Sequence, residues 1–315
     1  MKTKTVFVFL SSVLLLCALT IFELHAQQSP SKNTPPASSW KAVDEAMGRT
    51  GQDQPDGTHK FSMPRSDMKV TLDGVGIKPG LALGSWAAFQ KMGNQTEVMG
   101  DLVLAENEVG PVMQKLGDSG IEITALHNHL MRESPPVMYM HLEGYGDAAH
   151  LAAAIHDALS LTKTPTAAPP SNPAQSETAN LQFDSKLVES VLGHAGKNNN
   201  GIYQFSIPRA EKITEEGMAV PNSMGVATAL NFQPTGAGKA AITGDFVLTA
   251  REVNPVIKTL RQNGIAVTAL HSHMLEEQPR LFFMHFWAND DAVKLAKGLR
   301  AALDQTNSAN EKGLN

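Results

Sequence analysis

The sequence predicts an α+β fold built twice: two tandem repeats of a ferredoxin-like antiparallel sheet with helices on one face. Three observations predict it. The stretch GDLVLAENEVGPVMQKLGDSGIEITALHNHL from Gly100 aligns without a gap with GDFVLTAREVNPVIKTLRQNGIAVTALHSHM from Gly244, and FSMPR ending at Arg65 recurs as FSIPR ending at Arg209. Within each copy the apolar spacing changes between alternation and helical periodicity, in the order strand, helix, strand, strand, helix. Segments rich in Pro, Ser, Ala and Thr separate the copies from each other and from the N-terminus.

At the N-terminus Lys2 and Lys4 precede an apolar run from Thr5 to Phe22, and Ala26 stands just before Gln27. This is the order of a secretory signal peptide over residues 1–26. An uncleaved anchor is the alternative, because the run approaches the length that spans a bilayer. Either way the remainder is expected to be periplasmic or secreted, with membrane contact only if the segment stays uncleaved. Residues 27–39 and 163–180 read as linkers, 40–162 and 181–304 as the repeat domains, and 305–315 as a tail.

Each copy opens with a short helix, Trp40 to Met47 and Ser185 to Leu192, stopped by Gly48 and Gly193. Strand-like segments follow around Phe61, Val70, Trp86 and Met99, and around Phe205, Ile213, Leu230 and Ile242. A helix then covers Val109 to Leu116 and Val253 to Leu260. In the second copy Asn254-Pro255 fits an N-cap with Pro at N1, while Thr249 and Glu252 fit a capping box, and both starts stay open. Gly120 and Gly264 end this helix. The alternating IEITALHNH and IAVTALHSH then pair, across a Pro-containing loop, with VMYMHLEG and LFFMHFWA. An amphipathic helix closes each copy, from Asp147 to Leu161 and from Asp290 to Leu303.

Composition narrows the function classes. The formal net charge of −5 is mild and unclustered, which argues against a nucleic-acid partner. Cys17, the chain's one cysteine, lies inside the signal segment. The exported part must therefore be held by its cores, and any metal must be bound by His, carboxylate or Met.

The chemistry sits in HxH(x)3E(x)7H, present as His127, His129, Glu133 and His141 and again as His271, His273, Glu277 and His285. Residues two apart on a strand share a face, with Cα atoms roughly 6.5 Å apart, so two imidazoles can converge on one ion. An even pairing sum across the hairpin brings the third to the same face. Three imidazoles, a carboxylate and an open position suit a divalent transition metal, Zn, Cu, Mn or Fe. In a metal-dependent hydrolase Glu133 and Glu277 would be the fourth ligand or the general base. The opposing reading is that these histidines are hydrogen-bonded hairpin residues copied by duplication. The spacing HxH(x)3E also opens a cupin motif, but the helices argue against that nearly all-β fold.

Other repeated residues have two readings each. Asp101 and Asp245 follow a Gly and would either orient a histidine or shape a turn or bulge. Glu108 and Glu252 read as helix caps. Arg65 and Arg209 would clamp an anionic ligand or pair with an acid. Met140 and Met284 alternate away from the adjacent histidine and read as core.

At GDLVLAENEV, GIEITALHNHL, ESPPVMYMHLEGYGD and the helix after it, the chain resembles the LppY/LpqO family of exported bacterial proteins, a domain of unknown function. The likeness covers both halves. The second departs at Ser272 and at Trp287-Ala288-Asn289-Asp290, which replaces a glycine-rich step. The resemblance implies the domain boundaries and the histidine site but no reaction. The expected function is thus an exported protein with a His-based metal site in each half, with a metal-dependent hydrolase as its catalytic form. The alternatives are a non-catalytic envelope module binding an anionic small molecule or glycan, and a structural or interaction protein. In the first two cases the partner is a small molecule of unspecified identity.

Overall fold

A computed structural model describes residues 40–165 and 181–309. The signal segment, the first linker, most of the second linker and the end of the tail lie outside the described residues. Among those described, no helix is long and apolar enough to cross a membrane.

The first half runs α1 (Lys41–Met47), β1 (Gln52–Asp53), β2 (His59–Pro64), β3 (Thr71–Leu72), β4 (Val75–Gly76), α2 (Pro79–Ala82), β5 (Gly84–Met92), β6 (Gln95–Ala105), α3 (Glu106–Asp118), β7 (Glu122–His127), β8 (Val137–Gly146) and α4 (Ala148–Leu159). The second half runs α5 (Ser185–Leu192), β9 (Lys197–Asn199), β10 (Ile202–Ile207), β11 (Thr214–Glu215), β12 (Met218–Ala219), a 3-10 turn at Asn222–Met224, β13 (Thr228–Gly236), β14 (Lys239–Thr249), α6 (Ala250–Gln262), β15 (Ala266–His271), β16 (Leu281–Asp291) and α7 (Ala292–Leu303). Gly48 and Gly193 end the opening helices at φ 65° and 73°, values open to glycine without a Cβ clash. Helix α6 starts at the capping box: Glu252 Oε2 accepts from Thr249 N at 2.6 Å, and Pro255 lies inside the helix. This decides between the two starts the sequence left open.

Each half forms one six-stranded antiparallel sheet, in the orders β1-β2-β5-β6-β8-β7 and β9-β10-β13-β14-β16-β15. The ferredoxin-like expectation holds at the coarser level of an antiparallel sheet with helices on one face; the sheets are wider, because β5, β2 and β1 extend the first beyond β6 and the second is extended likewise. On the helix face Phe61, Phe89, Leu102, Met140 and Leu142 pack against Val43, Val112, Leu116, Leu151 and Ile155. The second half repeats this with Phe205, Phe232, Phe246, Met284 and Phe286 against Val188, Leu192, Leu260 and Leu299. Met140 and Met284 are thus core residues.

The opposite faces of the two sheets meet each other. Val103 and Tyr139 share a buried cluster with Ile202, Ala241 and Trp287 of the other half. Ala88 and Met99 share another with Val226, Val247 and Phe283. Hydrogen bonds cross this seam: Trp287 Nε1 donates to Asp73 Oδ2 at 3.0 Å, Lys60 Nζ to Ser223 O at 2.6 Å, and Gln233 Nε2 to Gly76 O at 2.7 Å. The result is four layers, helices, sheet, sheet, helices, because alternation leaves each sheet a second apolar face that must also leave water.

The chain beyond the repeats is partly tied down. Arg49 Nη2 donates to Pro165 O at 2.6 Å and Thr164 is buried, so the described start of the second linker packs on the first half. In the tail, Ala309 N donates to Pro208 O and Ala210 N to Asn307 O, an extended antiparallel contact.

Candidate metal centre

The strand pairing around the histidines follows from their parity. On β7 and β8, Ala125 opposes His141 and His127 opposes Tyr139, so His127 and His141 face the same way. The second half repeats this, with Ala269 opposite His285 and His271 opposite Phe283. Both hairpins carry a register shift, between Ile123 and Ala125 and between Val267 and Ala269. The residue skipped in each, Thr124 or Thr268, donates its hydroxyl across the seam, to His273 O at 2.5 Å and to His129 O at 2.6 Å. The bulges that keep the histidines in phase thereby bind the opposite half's second histidine backbone.

The shared face is the seam itself, so the six imidazoles gather in one cluster. Ring centroids of His127 and His271 are 3.5 Å apart, those of His129 and His285 3.7 Å, and those of His141 and His273 3.9 Å. Tyr139 lies against His129 at 3.3 Å and Phe283 against His273 at 3.5 Å, like covers for the outer rings.

Hydrogen bonds on one ring nitrogen set the other. Nδ1 of His285 reaches Gly244 O at 2.7 Å, Nδ1 of His127 reaches Asn128 O at 3.2 Å, and Nδ1 of His271 reaches Ser272 O at 3.1 Å. A carbonyl oxygen only accepts, so Nδ1 carries the hydrogen and Nε2 keeps its lone pair. All six Nε2 atoms are buried without a hydrogen-bond partner among the described residues. Burial, reinforced by the neighbouring histidines, holds the rings neutral: His127 and His271 are pushed down to about 3. His273, lowered by burial, falls to about 3 and His285 to about 4. His129 and His141 also fall well below the usual range. A neutral imidazole with a free Nε2 is the metal-ligating form.

The nearby carboxylates are Asp101 and Asp245, which sit directly opposite His141 and His285 on β6 and β14. Asp101 Oδ2 stands 3.7 Å from His129 Nε2 and 4.0 Å from His141 Nε2. Asp245 Oδ2 stands 3.1 Å from His273 Nε2, and its Oδ1 stands 4.0 Å from His285 Nε2. Burial, with Asp245 as a like-charged neighbour, raises Asp101 to about 8. Four groups have donor atoms mutually within 4.8 Å: Asp101, His129 and His141; Asp245, His271 and His273; His127, His129 and His285; and His127, His141 and His271. The preceding glycines allow the neighbouring strand to approach closely: a Cβ on Gly244 would lie 1.9 Å from Ala229 O, and one on Gly100 would lie 2.8 Å from Trp86 O.

Glu133 and Glu277 join none of these groups. Each gives one oxygen to its own loop: Glu133 Oε1 accepts from Val137 N at 3.3 Å, while its Oε2 is buried without a hydrogen bond among the described residues, and Glu277 Oε1 accepts from Leu281 N at 2.7 Å. The sequence assigned the site's carboxylate to these residues by proximity along the chain, whereas sheet register delivers Asp101 and Asp245.

Arg65 and Arg209 are also placed elsewhere. Arg65 gives Nε and Nη2 to Asp67, Nη1 to Val103 O and Glu108, and Nη2 to Glu108. Arg209 repeats the set with Glu211, Val247 O and Glu252. A guanidinium has five N–H donors and all five are used, which leaves none for an anionic ligand. Glu108 and Glu252 cap their helices and anchor these arginines at once.

The family described as Domain of Unknown Function (DUF1259) matches residues 41–161 and 186–305. The chain belongs to this family. The two DUF1259 copies correspond to the two sheets, so the histidine cluster lies where one copy meets the other. Among curated proteins none matches. Two solved structures are similar over most of their length. The trimeric bacterial microcompartment shell protein PduB is 13% identical with a TM-score of 0.21, over 83% of this chain and 96% of that one. EtuB from Clostridium kluyveri is 9% identical with a TM-score of 0.19, over 80% and 90%. Likeness at that level carries no argument for this DUF1259 pair.

Proposed function

We propose that the protein is an exported transition-metal-binding protein whose centre lies in the seam between its two repeats, held by six histidines and two aspartates. One observation carries the reading: the Nε2 atoms of six imidazoles from both halves are buried together without a hydrogen bond among the described residues. An unsatisfied buried acceptor costs about 1–3 kcal/mol, a penalty that metal ligation removes. The donors are imidazole nitrogen and carboxylate oxygen, the set that suits Zn, Cu, Mn or Fe. Export is supported by the order of charges and apolar residues before Gln27 and by the LppY/LpqO likeness.

When bound, a divalent ion would supply Lewis acidity and, with an open position, a bound water of lowered pKa. The chain's own residues would hold and orient it: carbonyls of Asn128, Ser272 and Gly244 fix the imidazole tautomers, and Tyr139 and Phe283 exclude water. A glutamate-assisted hydrolysis has less support, since Glu133 and Glu277 stand outside the histidine groups and each gives an oxygen to its own loop. The anionic-ligand module loses its arginines for the reason given above.

The test is elemental analysis of protein isolated from its native compartment, beside a variant carrying H127A, H129A and H141A. Metal in the parent and a lower metal content in a folded variant are the expected result. A metal-free parent that also takes up no Zn(II), Cu(II), Mn(II) or Fe(II) would overturn the proposal.

A further inference from the structure

We infer that the seam holds two metal ions side by side, one per repeat, each with three imidazoles and one aspartate. This rests on the metal reading above and goes beyond it in number and assignment.

Six imidazoles and two carboxylates make eight donors, and a four-coordinate ion takes four. A single four-coordinate ion would leave four buried donors without partners in the dry middle of the molecule. Two ions satisfy them all.

In the first half the donors of His129, His141 and Asp101 lie mutually within 4.8 Å, and His127 groups with His129 in one set and with His141 in another, each set completed by a histidine of the second half. In the second half Asp245, His271 and His273 form the corresponding group, and His285 stands 4.0 Å from Asp245. The two sets share no residue. They adjoin because the rings interleave, His127 on His271 at 3.5 Å and His141 on His273 at 3.9 Å. The triads that mix halves, such as His127, His129 and His285, are what neighbouring ions with interdigitated ligands produce.

Charge balance bears on the same point. Two divalent ions exceed the charge of two aspartates, and an uncompensated buried charge is costly. Glu143 is the next seam-facing residue after His141 on β8, with Glu97 and Glu215 buried in its electrostatic neighbourhood. Glu215 leaves Oε2 without a hydrogen bond. Glu143, Glu97 and Glu215 are the further buried carboxylates that the seam carries beyond Asp101 and Asp245.

The experiment loads the full chain with Zn(II) and with Cu(II), removes free ion on a desalting column, and measures metal per chain by mass spectrometry. Two ions per chain are expected, with the Cu(II) form showing the half-field resonance of a coupled pair. A D245N/H273A variant should keep one ion and show an isolated Cu(II) spectrum, its fold checked by circular dichroism. One ion per chain in the parent overturns this inference while leaving the metal reading in place, and no ion overturns both. Two ions without spin coupling overturn the side-by-side arrangement. Loss of both ions in the folded variant overturns the division by halves. If the variant fails to fold, the parent's stoichiometry and spectrum still decide.

Discussion

Replacing Arg65 by Met should destabilise the first half severely without touching the metal. Arg65 is 1% exposed and its five donors end on Asp67, Glu108 and Val103 O. Removing it strands a carboxylate that is itself buried. Breaking one side of such a pair costs about 3–5 kcal/mol. Glu108 still accepts from Ala105 N at 2.9 Å and Lys163 N at 3.0 Å, and Asp67 can turn to water, so the lower end, about 3 kcal/mol, is expected. Adding E108Q neutralises the stranded charge while keeping an acceptor for the helix cap, so the double variant should recover about 1–2 kcal/mol. Urea unfolding followed by circular dichroism gives the free energies, and the cycle gives the coupling. A cost below about 1 kcal/mol for R65M, or a double variant no more stable than R65M, would refute the reasoning. So would loss of bound metal from a folded R65M, which would return the arginine to a ligand-binding role.

Metal affinity should rise with pH up to about 8 and then level off. Asp101 is raised to about 8 by burial and so holds its proton at neutral pH, while the imidazoles with values near 3 to 4 are already free. Binding below pH 8 therefore releases the carboxyl proton, worth up to about tenfold in affinity per pH unit. Calorimetry in buffers of different ionisation enthalpy counts that proton, and a flat or falling profile from pH 6 to 8 rules the account out. E133Q should leave metal content unchanged, since its carboxylate serves Val137 N; a folded E133Q without metal would restore Glu133 to the centre. G244A should lower stability by about 3 kcal/mol and disturb the second half's ligands, because the added Cβ meets the Ala229 backbone and Gly244 O orients His285. G110A, with open space around it in α3, should instead gain up to about 1 kcal/mol, and equal melting temperatures for the two variants would contradict the steric argument.

Local rules carried the sequence reading some distance. The duplication, the glycine helix stops and the shared face of His127 and His141 all depend on spacing along the chain or across one hairpin. The capping box and the Pro start at α6 were both good local signals five residues apart, and the helix takes the earlier one, with Pro255 inside it. The site's carboxylate was misjudged for a different reason. Glu133 is four residues from His129, but Asp101 reaches His141 only through the pairing of β6 with β8, a long-range register. The repeated Gly-Asp step was the available signal, since a glycine there marks a close backbone approach beside a buried acid. Arg65 and Arg209 had two readings, anion clamp or acid pair, and the acid partners Glu108 and Glu252 read only as caps. Least legible was the merging of two sites into one. Alternation tells which side chains share a face, and nothing in it tells what comes to cover that face.

The covering face belongs to the same chain, and this frees it from a rule that binds dimers of identical subunits. In such a dimer every change on the axis appears twice, so an acid introduced on one side must face its own copy. Here His141-Leu142-Glu143 corresponds to His285-Phe286-Trp287, and a carboxylate at one end of the centre answers an indole at the other. Tyr139 against Phe283 is a second such inequality. The duplicated molecule therefore has a direction along its seam, acidic at one end and apolar at the other, and mutations at its two ends can be selected independently.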